Sequence, residues 1–337
     1  MPRWRCHAPR YTRNLEPFVP LVTNPHLLTI LAHFWRSGLD ESRFPVERKL
    51  YRTEPEVEVL VESQRPAGTA RGEIVMVHGL EGSSQAGYMK VLARMALESG
   101  FASHRLNLRS CGGTEQCSKS AYHSGMTADL EAVLRRLASE GRGPLFAVGF
   151  SLGGNVVLKL AGELAENARE LLAGVCAVST PIDLDESTRS IERRENRLYE
   201  LRFLKKLKRR IRELNRLRPD AFPIDGLDRV RGLREFDDRY TSRFFGFRDA
   251  ADYYYTQSAC RVLDRIRVPA LLVEAKDDPV IPFRIFERPE VIGNPCIELI
   301  AVEHGGHLGF LGRRGQRFWA EGAVMDWIRA RTGRPGA

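Results

Sequence analysis

No stretch of this 337-residue chain approaches the ~20 consecutive apolar residues that a membrane-spanning helix requires; the most apolar early segment, Leu27 to Trp35, is short and carries His33. A signal core is missing as well. The N-terminus, Met1-Pro2-Arg3-Trp4-Arg5, is basic but leads into polar residues, so no cleaved leader is expected. Cysteine is sparse and unpatterned: Cys6, Cys111, Cys117, Cys176, Cys260 and Cys296 contain no C-x-x-C pair, which argues against a zinc knuckle or a dithiol redox site and for a reducing cytoplasm. Neither G-x-x-x-x-G-K-[ST] nor G-x-G-x-x-G occurs, so no nucleotide cradle is expected, and Ser110-Cys111-Gly112-Gly113-Thr114 reads as a loop near a site rim. Internal repeats and low-complexity tracts are missing too.

Acidic residues are in deficit, 43 Asp and Glu against 52 Lys and Arg, giving a net charge of +9. A basic chain invites an acidic partner such as an anionic membrane surface or a nucleic acid. The basic residues lack interleaved aromatics and a reader motif, so nucleic acid is set aside.

What is present is an alternation of strand-like and helix-like segments, the signature of a mainly parallel sheet with helices on both faces. Val57 to Val61 alternates as a half-exposed antiparallel edge strand would, whereas Ile74 to Val77 is a continuous apolar run suited to a buried parallel strand. A helix is expected over Gly87 to Glu98, a strand over Ala102 to Leu108, and a helix with apolar face Leu130, Val133, Leu134 and Leu137. Strands are expected at Leu145 to Val148, Leu172 to Ser179, Ala270 to Glu274 and Ile297 to Val302, with a closing helix at Phe318 to Ile328. From about Asp185 to Asp264 the alternation breaks. There Leu198, Leu201, Leu204, Leu207, Ile211 and Leu214 recur every three or four residues among many arginines and lysines, an amphipathic basic insertion that should cap the carboxyl ends of the strands. The expected organisation is an extension over 1–45 packing on the core, a core of 46–184 and 265–337, and a helical cap over 185–264.

Gly149-Phe150-Ser151-Leu152-Gly153 has the G-x-S-x-G form between the strand at Leu145 and an apolar helix marked by Val156, Val157, Leu160 and Ala161. Its glycines suit a turn too tight for neighbouring Cβ atoms, which holds the Ser151 hydroxyl exposed. Serine needs a base to take its proton, and that base needs an orienting group. His307, in Glu303-His304-Gly305-Gly306-His307 after the Ile297 strand, is the preferred base, with His304 read as a surface histidine. The acid should follow the Ala270 strand, where Asp278 is preferred because Pro279 to Pro282 fix its loop; Asp277, read as a turn or capping residue, is its competitor. Oxyanion donors are expected from the backbone N–H groups of Leu152 and Leu80, the latter in His78-Gly79-Leu80-Glu81-Gly82-Ser83-Ser84, with His78 organising that loop. His304-x-x-His307 lacks the i, i+4 spacing of a helical metal site, so neither metal nor other cofactor is expected.

With these pieces, and with Asn24-Pro25-His26-Leu27, Asn107-Leu108-Arg109-Ser110-Cys111, Tyr122-His123-Ser124-Gly125 and Tyr253-Tyr254, the chain resembles the α/β-hydrolase superfamily, and within it the AB-hydrolase-4 group of YheT-like esterases, from about Phe18 onward. Leu28, where the group tends to have glutamine, and Ser110, before Cys111, are modest departures. The resemblance implies a serine hydrolase of carboxylic esters, of short or medium acyl chain or lipid, working through an acyl-enzyme with Ser151, His307 and Asp278. It also favours the second aspartate and the second histidine. Acyl transfer to an alcohol from the same intermediate, or an idle binding protein on the same scaffold, are the alternatives. The partner is a small ester or lipid, with peripheral contact to an anionic membrane through the basic cap; oligomeric state is not readable.

Overall fold

The computed structural model describes residues 16–34, 38–141 and 143–333. Eight strands form one sheet: β1 (Glu47–Glu54), β2 (Val57–Gln64), β3 (Glu73–Val77), β4 (Ala102–Leu106), β5 (Leu145–Phe150), β6 (Gly174–Val178), β7 (Ala270–Ala275) and β8 (Ile297–Val302). Their spatial order is β1-β2-β4-β3-β5-β6-β7-β8; β2 is antiparallel to both neighbours, and every pair from β4 onward is parallel.

The apolar runs of β3 and β5 are buried throughout because helices cover both faces. Alternation divides their side chains: Ile74 and Met76 meet Met89, Leu92, Val324 and Trp327 on one face, while Val75 and Val77 meet Leu130, Val133, Val156 and Leu160 on the other. The chain leaves β3 to form β4 on one side and returns to form β5 on the other. Strand order therefore reverses at β3, and the crevice at the carboxyl ends of β3 and β5 is where an open α/β sheet binds its ligand.

Three expectations are corrected. Val57 to Val61 is not an edge, since a further strand, β1, lies outside it. Its sequence, ERKLYRTE, is mostly charged and hid a strand whose only buried residue is Tyr51, a composition that also discourages edge-to-edge association. The strand expected over Leu172 to Ser179 is shorter, and that over Ala102 to Leu108 stops at Leu106. The expected leucine stripe of the inserted helix Arg197–Leu217 is also broken: Leu204, Ile211 and Leu214 are buried, whereas Leu198 is 80% and Leu201 46% exposed.

The segment between β6 and β7 is helical, its main elements being Leu184–Ile191, Arg197–Leu217 and Ala250–Gln257. Asp183 and Asp249 cap the first and last of these by accepting the N–H of Glu186 and Asp252. No described helix is long and apolar enough to cross a membrane.

Candidate active site

Ser151 stands between the end of β5 and the helix Leu152–Leu164 with φ +52°, ψ −124°, a conformation that costs a residue with a side chain on the order of 1–3 kcal/mol. The surroundings impose it. The Ser151 N–H donates to Val178 O at 2.8 Å, and its carbonyl accepts from Gly154 N–H at 2.8 Å. A Cβ on Gly149 would overlap the Gly153 carbonyl, and one on Gly153 would overlap the Val77 carbonyl, so both glycines of the motif are sterically required.

Three remote segments converge here. His307 Nε2 lies 3.0 Å from Ser151 Oγ, and His307 Nδ1 lies 2.9 Å from Asp278 Oδ2. Since a carboxylate can only accept, Nδ1 carries the proton and Nε2 is left to accept from the hydroxyl. Asp278 and His307 are 8% and 9% exposed, so the bond between them is shielded from water, while Ser151 is half-buried. The other Asp278 oxygen accepts from Val280 N–H (2.8 Å) and Ile281 N–H (3.0 Å).

Asp277 points elsewhere. Its Oδ1 accepts from Gly305 N–H (2.8 Å) and Gly306 N–H (2.9 Å), and its Oδ2 lies 3.1 Å from Nδ1 of the exposed His304. The two adjacent aspartates thus divide the work, one touching the histidine ring and the other tying down the loop that carries it. Gly306 has φ +57°, and a Cβ there would overlap the Pro25 carbonyl.

The backbone around His307 is held by two residues that sequence spacing did not reveal. His307 N–H donates to Thr29 Oγ1 (2.9 Å), on the helix Pro25–Phe34, and Leu308 N–H donates to Ser179 Oγ (3.1 Å) after β6. Thr29 in turn donates to Pro25 O at 2.7 Å. Behind the site, fully buried Glu274 accepts Thr180 N–H on both oxygens (3.0 and 3.1 Å), and burial holds its carboxyl well above the usual range.

Leu80 and Leu152, the expected oxyanion donors, line the same cavity as Ser151. Leu152 is the first residue of its helix, so its N–H has no intrahelical acceptor. In the loop after β3, Gly79 N–H donates to the Tyr88 hydroxyl (3.0 Å) and Glu81 N–H to the Tyr122 hydroxyl (2.8 Å), while the Leu80 N–H between them has no protein acceptor among the described residues. His78 organises this loop from beneath: its Nδ1 donates to Gly79 O (2.8 Å) and its Nε2 accepts from Leu108 N–H (3.1 Å). Complete burial pushes its pKa down to about 4, so it is the neutral ring that this pattern needs.

Ser151 borders two spaces. One is an apolar cavity of about 110 Å³ whose walls include Leu152, Leu207, Ile211, Phe236, Phe244 and Val280. The other is an open cleft of about 680 Å³ bordered by Ile30, Phe34, Tyr199, Arg202, Lys206 and His307; Gly112 and Gly113 reach its rim, as expected of their loop. Leu80, Glu81, Phe203 and Arg210 border both spaces.

Comparison with known proteins bears on the family and the fold. The sequence profile described as "Alpha/beta hydrolase family" matches residues 74–321. The candidate esterase YheT of Escherichia coli (strain K12) is 34% identical over 320 residues, 92% of this chain and 92% of its own. Phospholipase ABHD3 of Mus musculus is 28% identical over 245 residues, 72% of this chain and 59% of its own length. Among solved structures, the Pyrococcus furiosus esterase Pf2001 superimposes with a TM-score of 0.57 at 14% identity, covering 93% of this chain and 98% of that one, a likeness of fold.

Proposed function

The chain belongs to the alpha/beta hydrolase family, and from that membership we propose that it is a serine hydrolase of carboxylic esters, with Ser151 as nucleophile, His307 as general base and acid, Asp278 as the orienting carboxylate, and the Leu80 and Leu152 N–H groups as oxyanion donors. The observation that carries this reading is the unbroken line from Asp278 Oδ2 through His307 to Ser151 Oγ. Ser151 Oγ bonds to the ester carbonyl carbon as its proton passes to His307 Nε2; the carbonyl π pair moves to oxygen, where the two N–H groups meet it. Collapse breaks the acyl–oxygen bond, and the alcohol leaves with the proton from His307. Water, deprotonated by the same nitrogen, then releases the acid and restores Ser151. We take 185–264 as the cap of this site, 46–184 with 265–337 as its core, and 1–45 as an extension that helps seat His307 through Thr29.

The two spaces support a division of the substrate into halves. An apolar cavity of about 110 Å³ is smaller than the roughly 150 Å³ that accommodates benzene, so it suits an acyl group of about four to six carbons, and the open cleft receives the alcohol. A fluorophosphonate probe should label the wild type and not Ser151→Ala. Among p-nitrophenyl esters, kcat/KM should peak at butanoate to hexanoate and fall more than about tenfold by decanoate. Failure to label, or a maximum at hexadecanoate, would respectively refute the nucleophile and the chain-length assignment.

The mouth of the cleft supports docking on an anionic phospholipid surface. The helix Pro25–Phe34 exposes Leu27, Ile30 and Phe34, the last 71% exposed, and the helix Arg197–Leu217 exposes Leu198 and Leu201. His26 bonds Tyr199 (3.0 Å) and Arg202 bonds His33 (2.6 Å), so the two helices touch, with exposed Arg202, Lys205 and Arg209 alongside the apolar groups. An apolar patch rimmed by cations is the chemistry of an interfacial anchor. The protein should sediment with vesicles containing phosphatidylglycerol, less so at high salt and less so as the double variant Phe34→Ser, Leu198→Ser. Equal sedimentation with purely zwitterionic vesicles rules the surface out.

A further inference from the structure

The inserted helix Arg197–Leu217 reaches over the Leu80 loop with two cations. Arg210 Nε donates to Glu81 Oε1 at 2.7 Å, and Lys206 Nζ donates to the Glu81 carbonyl oxygen at 3.2 Å. This is a dry contact: the side chains of Arg210 and Glu81 are 11% and 3% exposed. Tyr122 closes it, accepting Glu81 N–H at 2.8 Å, donating to Glu81 Oε1 at 2.9 Å, and lying under the Arg210 guanidinium at 5.4 Å from ring centroid to carbon. Glu81 itself sits at φ +53°, a left-handed position that a residue with a side chain holds only when its surroundings insist.

The peptide unit that carries the Leu80 N–H is fixed on its other side by the core. Its carbonyl, Gly79 O, accepts from Gly82 N–H at 3.0 Å and from His78 Nδ1 at 2.8 Å. The aim of the Leu80 N–H therefore depends on a turn whose lower half is clamped by the sheet and whose upper half is clamped by the inserted helix. An ion pair this buried is poor value for stability alone, since apolar residues of similar volume would avoid its desolvation. One guanidinium nitrogen, Arg210 Nη1, is even buried without an acceptor.

We propose that Arg210 and Lys206 are positioning residues: only with the inserted helix seated on Glu81 is the Leu80 N–H aimed at the developing oxyanion, so catalysis is conditional on a closed cap. This rests on the hydrolase reading above. Arg210→Gln should lower kcat about 10- to 100-fold, at most the lower end of the roughly 10²- to 10³-fold known for outright loss of an oxyanion donor, while KM moves less than threefold. A trifluoromethyl ketone, to whose carbonyl Ser151 Oγ adds to leave an oxyanion while His307 takes the proton, should lose affinity by the same factor as kcat. Arg210→Lys should restore part of both losses, and Lys206→Met should cost a few-fold in each.

Variants that keep kcat and ketone affinity within twofold of wild type overturn the proposal, as does a rise in KM with ketone affinity unmoved. If Arg210→Gln does not fold, Arg210→Lys and Lys206→Met decide by the same two readings. A wild type that neither hydrolyses esters nor takes the fluorophosphonate probe refutes the hydrolase reading itself. Active wild type with indifferent variants refutes only the latch.

Discussion

The two walls of the site are built by different means. On the sheet side, Ser151 and His307 are positioned by hydrogen bonds made by their own main-chain groups and by glycines against which no Cβ would fit. The inserted segment reaches the same region through side chains, Arg210 and Lys206 on Glu81, Arg202 on His33 and Asn196 on the Pro279 carbonyl. Main-chain anchorage leaves few alternative positions, whereas a long side chain reaches its partner through several rotatable bonds and gives up that freedom to hold it. The contrast teaches that the series Asp278–His307–Ser151 is held by its own backbone, while the inserted helix reaches the Leu80 loop through side chains alone.

The sharpest way to break this comparison lies within the sheet wall. Asp278→Asn should cut kcat by about 10⁴-fold, since an amide facing Nδ1 favours the wrong tautomer. Asp277→Asn should cost under about tenfold, because the amide oxygen still accepts from Gly305 and Gly306. Steady-state kinetics on the pair check this, and equal losses would erase the division between the two aspartates.

A smaller effect separates the walls by the sign of their pH dependence. Burial raises Asp237, on the cap, to about 6, so the folded protein holds more protons than the unfolded chain between about pH 4 and 6, and stability is lost as pH rises through that window. Burial lowers His78, on the sheet side, to about 4, so its contribution is lost as pH falls from about 6.5 toward 4. In thermal melts, Asp237→Asn should lose less than wild type between pH 4 and 6.5, and His78→Gln should lose less on the reverse path, each by about 2–3 °C. Identical slopes for all three proteins would refute the assignment.

Legibility in the sequence follows the same line. Motifs of glycine, serine, histidine and aspartate exposed the sheet wall because close backbone approach allows few residue types at each place, so Ser151, His307 and Asp278 could be named before any coordinates and are found hydrogen-bonded in series. Thr29, Ser179 and Arg210 carried no such signal. Threonine and serine lend a hydroxyl to distant backbone without any local spacing, and Arg210 was one basic residue among many on its helix. Strand β1 escaped for a related reason: an edge strand buries so little that its residues are chosen for solvent. The expected leucine stripe failed because Leu198 and Leu201 lie on the outer face of their helix, and a three-or-four recurrence does not reveal which turn faces the body.

Thr29 has a consequence for the order of events on the ribosome. The serine is synthesised 156 residues before the imidazole it must meet, and that imidazole takes its place against a hydroxyl 278 residues upstream of it. A nascent chain long enough to display Ser151 still lacks the imidazole that is its partner, and Thr29, on a helix that by then already has Tyr199 and Arg202 to pack against, waits for the His307 N–H until the last strand has emerged. On the roles proposed above, a chain that displays Ser151 gains activity only once His307 has been made and seated.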